Sequence, residues 1–251
     1  MHEAFFFGPA DRQIFAMYHP PVIADKRVLT VICPPLFAEF NRTHSILRKL
    51  AVSLAEHGQH VLRIDFSGTG DSFGNLEELT ISDWVDDIAL AVQEGRDLSG
   101  CTAVRILGVR ASALLACKSA TTMSNVERLV LWDPVHDGTE YLRALAREQV
   151  AILEQHHHLG RAQRRDILQN YRMYSLSDGM LEEFHGFDNG VYSSVPKNKL
   201  RVVSTSSAGE LPVQGASQNV VKFACYWETN TEGLIVSQPV LEGLSQCLTE
   251  Q

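Results

Sequence analysis

Apolar runs of single-strand length alternate with segments of helical period along most of this chain, and that alternation limits its folds more than any other feature. "RVLTVICPPLF" is a β-branched run halted at Pro34 and Pro35, which cannot continue a central strand. From Thr43 to His57, Ile46, Leu47, Leu50, Ala51 and Leu54 recur on one helical face, with Gly58 as the stop. "HVLRIDF" is a second strand, and Thr80 with Asp83 forms a capping-box pattern before a helix through Trp84, Val85, Ile88, Ala89 and Val92. The strand "AVRILGV", the helix "ASALLACKSATT" and the strand "RLVLWDP" follow. Parallel neighbours need crossovers, and helices supply them. The pattern therefore predicts an α/β fold, a mostly parallel central sheet covered by helices on both faces. The opening "EAFFFGPADRQIFAMYHPP" adds a β-hairpin at the sheet edge.

The alternation lapses between 137 and 198, where "TEYLRALAREQVAILEQ" and "AQRRDILQNYRMY" carry helical periods without a buried strand. This predicts a helical cap insertion over 137–198, with the core built from 1–136 and 199–251. The strands "LRVVSTSS" and "VVKFACYW" resume the pattern. A last helix runs from about Gln238 to Leu248, with Ser237 as N-cap and Pro239 in its first turn.

Composition excludes several functions. Thirty acidic against 22 basic residues leave a net charge of −8, and no Lys/Arg-rich block is present, so no nucleic-acid footprint is expected. The five cysteines, Cys33, Cys101, Cys117, Cys225 and Cys247, are odd in number and lack CxxC spacing. They read as reduced core thiols of a cytoplasmic protein. No run reaches the ~18 apolar residues of a membrane span, and the start has no basic leader. No cofactor is expected, and no metal. Oligomeric state is left open.

Three stretches together carry a family resemblance. "VLRIDFSGTGDSFG" resembles the glycine-rich signature after the fourth strand of α/β-hydrolases, "ILGVRASALLA" their nucleophile elbow, and "LVLWDPVHDGTEYL" their sixth strand leading into a cap. Within that superfamily, "CPPLFAEFNRT", "GVRASALLA" and "LWDPVHDGTEYLRAL" are most similar to bacterial hydrolase-like proteins associated with the exosortase A system. The resemblance implies an α/β-hydrolase fold with a cap, and a link to exopolysaccharide or protein-sorting loci.

In the G-x-S-x-G frame of the elbow, Gly108 takes the first glycine, Arg110 the nucleophile and Ser112 the second glycine. A guanidinium stays protonated and offers no free electron pair for acyl transfer. Ser112 is the weak alternative nucleophile, but a shift of two puts Arg110 and Leu114 where small residues belong. The resemblance places the acid near Glu210 and the base near Glu228, Thr229 or Asn230, yet no histidine follows His185. The triad therefore reads as degenerate.

Arg110 aims into the pocket beside a helix N-terminus. A buried cation needs a partner, and Glu228, Glu210 and Asp133 are the candidate acids, unless a bound anion serves. Arg110, Ala111, Leu36, Phe37, Glu210 and Glu228 form the candidate binding set for a small anionic or acyl ligand. Two other readings stand beside this one: an active hydrolase of acyl esters or thioesters using relocated residues, and a protein-interaction scaffold.

The remaining motifs read as structure. His156 to His158 are adjacent, whereas ligands on one helical face need i, i+3 or i, i+4 spacing, so they are assigned to a solvated helix end. Gly68, Gly70 and Gly74 are spaced one residue too long for a dinucleotide fingerprint and form a turn organised by Arg63 and Asp65. Cys33 and Cys117 are expected to be buried thiols.

Overall fold

The computed structural model describes residues 2–23, 25–156, 158–171, 174–188, 190–205, 215–223, 227 and 234–250. Five parallel crossovers build its sheet. β1 (Glu3–Phe7) and β2 (Ile14–His19) form the antiparallel hairpin. β3 (Val28–Cys33), α1 (Ala38–Glu56), β4 (His60–Ile64), α2 (Ile81–Ser99), β5 (Ala103–Val109), α3 (Ser112–Ala120) and β6 (Val126–Trp132) then alternate. Four helices follow, α4 (Gly138–His156), α5 (Arg161–Asn170), α6 (Asp178–His185) and α7 (Gly190–Ser193), before β7 (Leu200–Thr205), β8 (Ser217–Val221) and α8 (Gln238–Thr249). Among the described residues, eight strands lie in the order β1-β2-β4-β3-β5-β6-β7-β8, and the pairs from β4 to β8 are all parallel.

Alternate residues of each central strand supply opposite faces, as a two-residue period requires. Val104 and Ile106 of β5, with Leu129 and Leu131 of β6, join one core with Trp84, Ile88 and Leu115 from α2 and α3. Leu107 and Val109, with Val130 and Trp132, join the other with Leu47, Leu50 and Leu244 from α1 and α8. The sheet is thus buried on both sides, which is why its strands read as continuous apolar runs.

Thr80 caps α2 by a full capping box with Asp83, and Ser237 caps α8. Two boundaries differ from the sequence expectation. α1 begins at Ala38 rather than Thr43, because Phe37 turns the chain in a left-handed conformation (φ 56°) two residues after the diproline. β8 begins at Ser217, earlier than the apolar run that suggested it, because an edge strand largely exposed to solvent carries little apolar signal. The helices between β6 and β7 add Tyr141, Leu142, Met180, Phe184 and Tyr192 to the core on the α2/α3 side. Among the described residues, no helix is long and apolar enough to cross a membrane.

Candidate active site

The parallel strands β3 to β7 end at one edge of the sheet, and there the turn from β5 to α3 spans only Arg110 and Ala111. Gly108 makes it feasible: a Cβ at that position would lie 2.7 Å from the Ala113 Cα and 2.9 Å from the Ser112 carbonyl oxygen. Arg110 occupies the apex at φ 56°, a conformation that costs a non-glycine residue about 1–2 kcal/mol. Its N–H donates to the Trp132 carbonyl (3.0 Å), and its own carbonyl accepts from the Ala113 N–H (3.1 Å). Strained apices held this firmly are a feature of functional turns.

The guanidinium is engaged inside the protein. Its Nε donates to Glu39 Oε1 at 2.9 Å, and Nη1 donates to the Asp133 carbonyl at 3.2 Å. The Trp227 indole lies beneath it, 4.9 Å from ring centroid to Cζ, in cation–π range. Glu39 is 2% exposed, and its second oxygen accepts from the Tyr141 hydroxyl at 2.9 Å. It stands in the first turn of α1, where the helix dipole favours a negative charge. Burial pushes the Glu39 carboxyl up, opposed by Arg110 and by Tyr141. Burial also works against the charge on Arg110, and the Glu39 carboxylate outweighs it, so the guanidinium is held above its usual value. Tyr141 is raised well above the ordinary phenol range, mainly by burial. It therefore stays the donor.

Asp133 is the acid whose carboxylate turns elsewhere. Its oxygens accept from the Thr205 N–H, the Thr205 hydroxyl and the Trp227 Nε1–H, each at 2.8 Å. It ties the end of β6 to the end of β7 and offers Arg110 only its main-chain carbonyl. Among the described residues the acid paired with Arg110 is Glu39; of the expected acids, Asp133 meets the guanidinium through its main-chain carbonyl and not through its carboxylate. Glu210 and Glu228, with Thr229, Asn230, Cys225 and His157, lie outside the described residues.

Ser112 is fully buried. Its hydroxyl accepts from the Val109 N–H at 2.8 Å and reaches the Cys33 and Val109 carbonyls at 3.0 and 2.9 Å. It locks the turn onto the neighbouring strand through these main-chain partners. Ala111 is buried beside Arg110. Leu36 and Phe37 line a cleft of about 240 Å³ with Pro35, Gly68, Thr69 and Tyr174. Phe37 stacks on Tyr174 with centroids 4.4 Å apart and planes 17° apart.

The glycine-rich stretch after β4 is the expected turn. Asp65 accepts from the Asp71 N–H at 3.1 Å and, through its carbonyl, from the Ser72 hydroxyl at 2.6 Å. Arg63 adds its charge beside Asp65. Burial raises the Cys33 and Cys117 thiols well beyond the ordinary range, so neither supplies a thiolate.

Sequence reading missed four residues of this site: Glu39, Tyr141, Trp227 and His136. His136 follows β6 closely, and burial, then the charge of Arg110, lowers its pKa. The available signal was position: each stands within a few residues of a strand end or cap junction on the edge that holds the elbow.

No family model matches the chain, and no curated protein matches it. Solved structures do. The α/β hydrolase GrgF from Penicillium superposes with a TM-score of 0.61 at 12% identity, over 88% of this chain and 89% of that one. Est1E from Butyrivibrio proteoclasticus, solved with ferulic acid bound, gives 0.59 at 17% identity over 87% and 88%. N-formylmaleamic acid deformylase from Pseudomonas putida gives 0.58 at 15% identity over 98% and 100%. The chain has the α/β-hydrolase fold. Arg110 stands at the apex of the turn between β5 and α3, with Glu39, Tyr141 and Trp227 grouped around its side chain.

Proposed function

We propose that this protein is a non-catalytic member of its fold, in which a buried ion pair stands where the catalytic triad would be, and that it binds a small acyl or aromatic ligand in the adjoining cleft. The observation that carries the reading is the Arg110–Glu39 pair. A guanidinium at the apex cannot accept an acyl group, and its charge is already met by a carboxylate 2.9 Å away. An anionic ligand would have to displace Glu39, so an uncharged acyl or aromatic group suits the site better than a free anion. The Phe37–Tyr174 stack offers such a group an apolar platform.

On this reading the helices of 137–198 act as a cap, since Tyr141 and Tyr174 bring that segment onto Glu39 and Phe37. The exosortase association suggested by the sequence remains part of the proposal, as the setting in which such a binding protein would work.

Short-chain nitrophenyl esters and a fluorophosphonate probe test this directly. The expected result is turnover equal to that of Arg110→Ala and no covalent labelling. Robust turnover abolished by Ser112→Ala would instead establish an active hydrolase with a relocated nucleophile. A thermal-shift comparison of neutral aromatic esters with free carboxylates should favour the esters, and Phe37→Ala should lose the response.

A further inference from the structure

The opposite edge of the sheet holds a second cluster with chemistry of its own. β4, β3 and β5 are adjacent and parallel, with Leu29 paired to His60 and Val28 to Ala103. Their amino-terminal ends therefore bring together Asp25, just before β3, His60, the first residue of β4, and Cys101, two residues before β5. One carboxylate oxygen, one imidazole nitrogen and the thiol sulfur all lie within 4.8 Å of one another.

We propose that Asp25, His60 and Cys101 form a binding site for a divalent transition metal, with zinc(II) the best-matched ion. Carboxylate, imidazole and thiolate are its usual donors, and three protein ligands leave a fourth tetrahedral position for water. Donor atoms around tetrahedral zinc stand roughly 3.5 Å apart, so the cluster needs to contract by about 1 Å.

Two further observations point the same way. The His60 side chain is 9% exposed, and its enclosed Nε2 faces Asp25 Oδ1 at 3.2 Å, so two of the three donors already stand in contact. On the other side of the ring, Nδ1 contacts the Tyr18 hydroxyl at 2.5 Å. A histidine that ligates through one nitrogen and donates its other N–H to an oxygen is the arrangement that fixes tautomer and orientation at metal sites. The Cys101 sulfur has a single weak contact, 4.0 Å to the Ser99 carbonyl, which leaves its lone pairs free. Arg27 Nη1 lies 3.6 Å from Asp25 Oδ2, its Nη2 donates to the Gly100 carbonyl at 2.9 Å and its backbone N–H donates to Asp25 Oδ1 at 2.6 Å; at 66% side-chain exposure this guanidinium is the cation that a metal ion would displace.

Binding would convert the Cys101 thiol to a thiolate coordinated to the ion and release its proton to solvent, with no change in oxidation state. The site would pin the hairpin and the amino-terminal ends of β3, β4 and β5 together. It is independent of the elbow, which lies at the other end of the strands.

Cobalt(II) reports the site by its thiolate charge-transfer band. The purified full chain, stripped with a chelator, is titrated with cobalt(II) and then zinc(II). The expected outcome is a charge-transfer band saturating at one equivalent, bleached by one equivalent of zinc(II), with a rise in Tm. Cys101→Ser should abolish the band. Asp25→Asn, at a half-exposed position that cannot unfold the protein by burial, should weaken cobalt binding, and Tyr18→Phe should weaken it by about 10-fold or more. A wild-type chain without a thiolate band overturns the proposal. So does a band of full strength in Cys101→Ser, which would place the thiolate at another cysteine.

Discussion

Arg110 and Glu39 meet at 2.9 Å although 71 residues separate them in the chain. Strand order explains the pairing. β5 lies beside β3, so the residues following β3 border the turn that carries Arg110 directly. Glu39, four residues beyond the last residue consumed by the diproline loop's Pro35, reaches across that short distance.

Removing one member of this pair should be far costlier than removing both. Arg110→Ala strands a buried carboxylate and is expected to destabilise the fold by about 3–5 kcal/mol, while Arg110→Met combined with Glu39→Gln should recover most of the loss. Urea unfolding at neutral pH reads both. A cost below about 1 kcal/mol for the single variant would show that the pair is effectively solvated.

Tyr141 gives the same carboxylate its second hydrogen bond from the segment between β6 and β7. Tyr141→Phe should cost about 1.5–3 kcal/mol, the range for hydrogen bonds to charged groups. Proteolysis should also cut 137–198 faster in the variant than in the parent. Equal cutting rates would mean that this bond does not hold the segment down.

Gly108→Ala probes the turn alone, since the added methyl meets main chain at 2.7 Å and no flexible side chain can yield. The expected loss is about 1–3 kcal/mol. An unaffected unfolding midpoint would contradict the close strand–helix approach.

Two buried groups should tilt the pH dependence of stability in opposite directions. Burial pushes Asp87 from its ordinary 3.8 up to about 6. Within that window the folded chain binds more protons than the unfolded one, so stability falls as pH rises through it. Burial first, then nearby cationic groups, lowers His19 from 6.5 to about 4. There the unfolded chain binds more protons, so stability rises with pH and is lost as pH falls through the window. Asp87→Asn should therefore steepen the gain in unfolding free energy with pH, and His19→Gln should flatten it. Urea midpoints measured across this range decide the matter, and tilts of the same sign would refute the assignment.

Local sequence was sufficient wherever a neighbour along the chain supplied the constraint. Strand runs bounded by Pro34 and Pro35, the Thr80 and Ser237 caps, and Gly108 before Arg110 all act within a few residues, so the α/β layering and the tight turn between β5 and α3 were legible without coordinates. Glu39 was not, because the helix that carries it begins at a left-handed Phe37 that no periodic pattern marks. Trp227 and Tyr141 were hidden for a related reason: each looks like an ordinary apolar residue until the sheet sets its neighbours. What sits at the turn was written in the order of residues along β5 and α3. What that arginine touches depended on which strands lie side by side, and hydrogen bonding between strands joins residues whose separation along the chain no local pattern encodes.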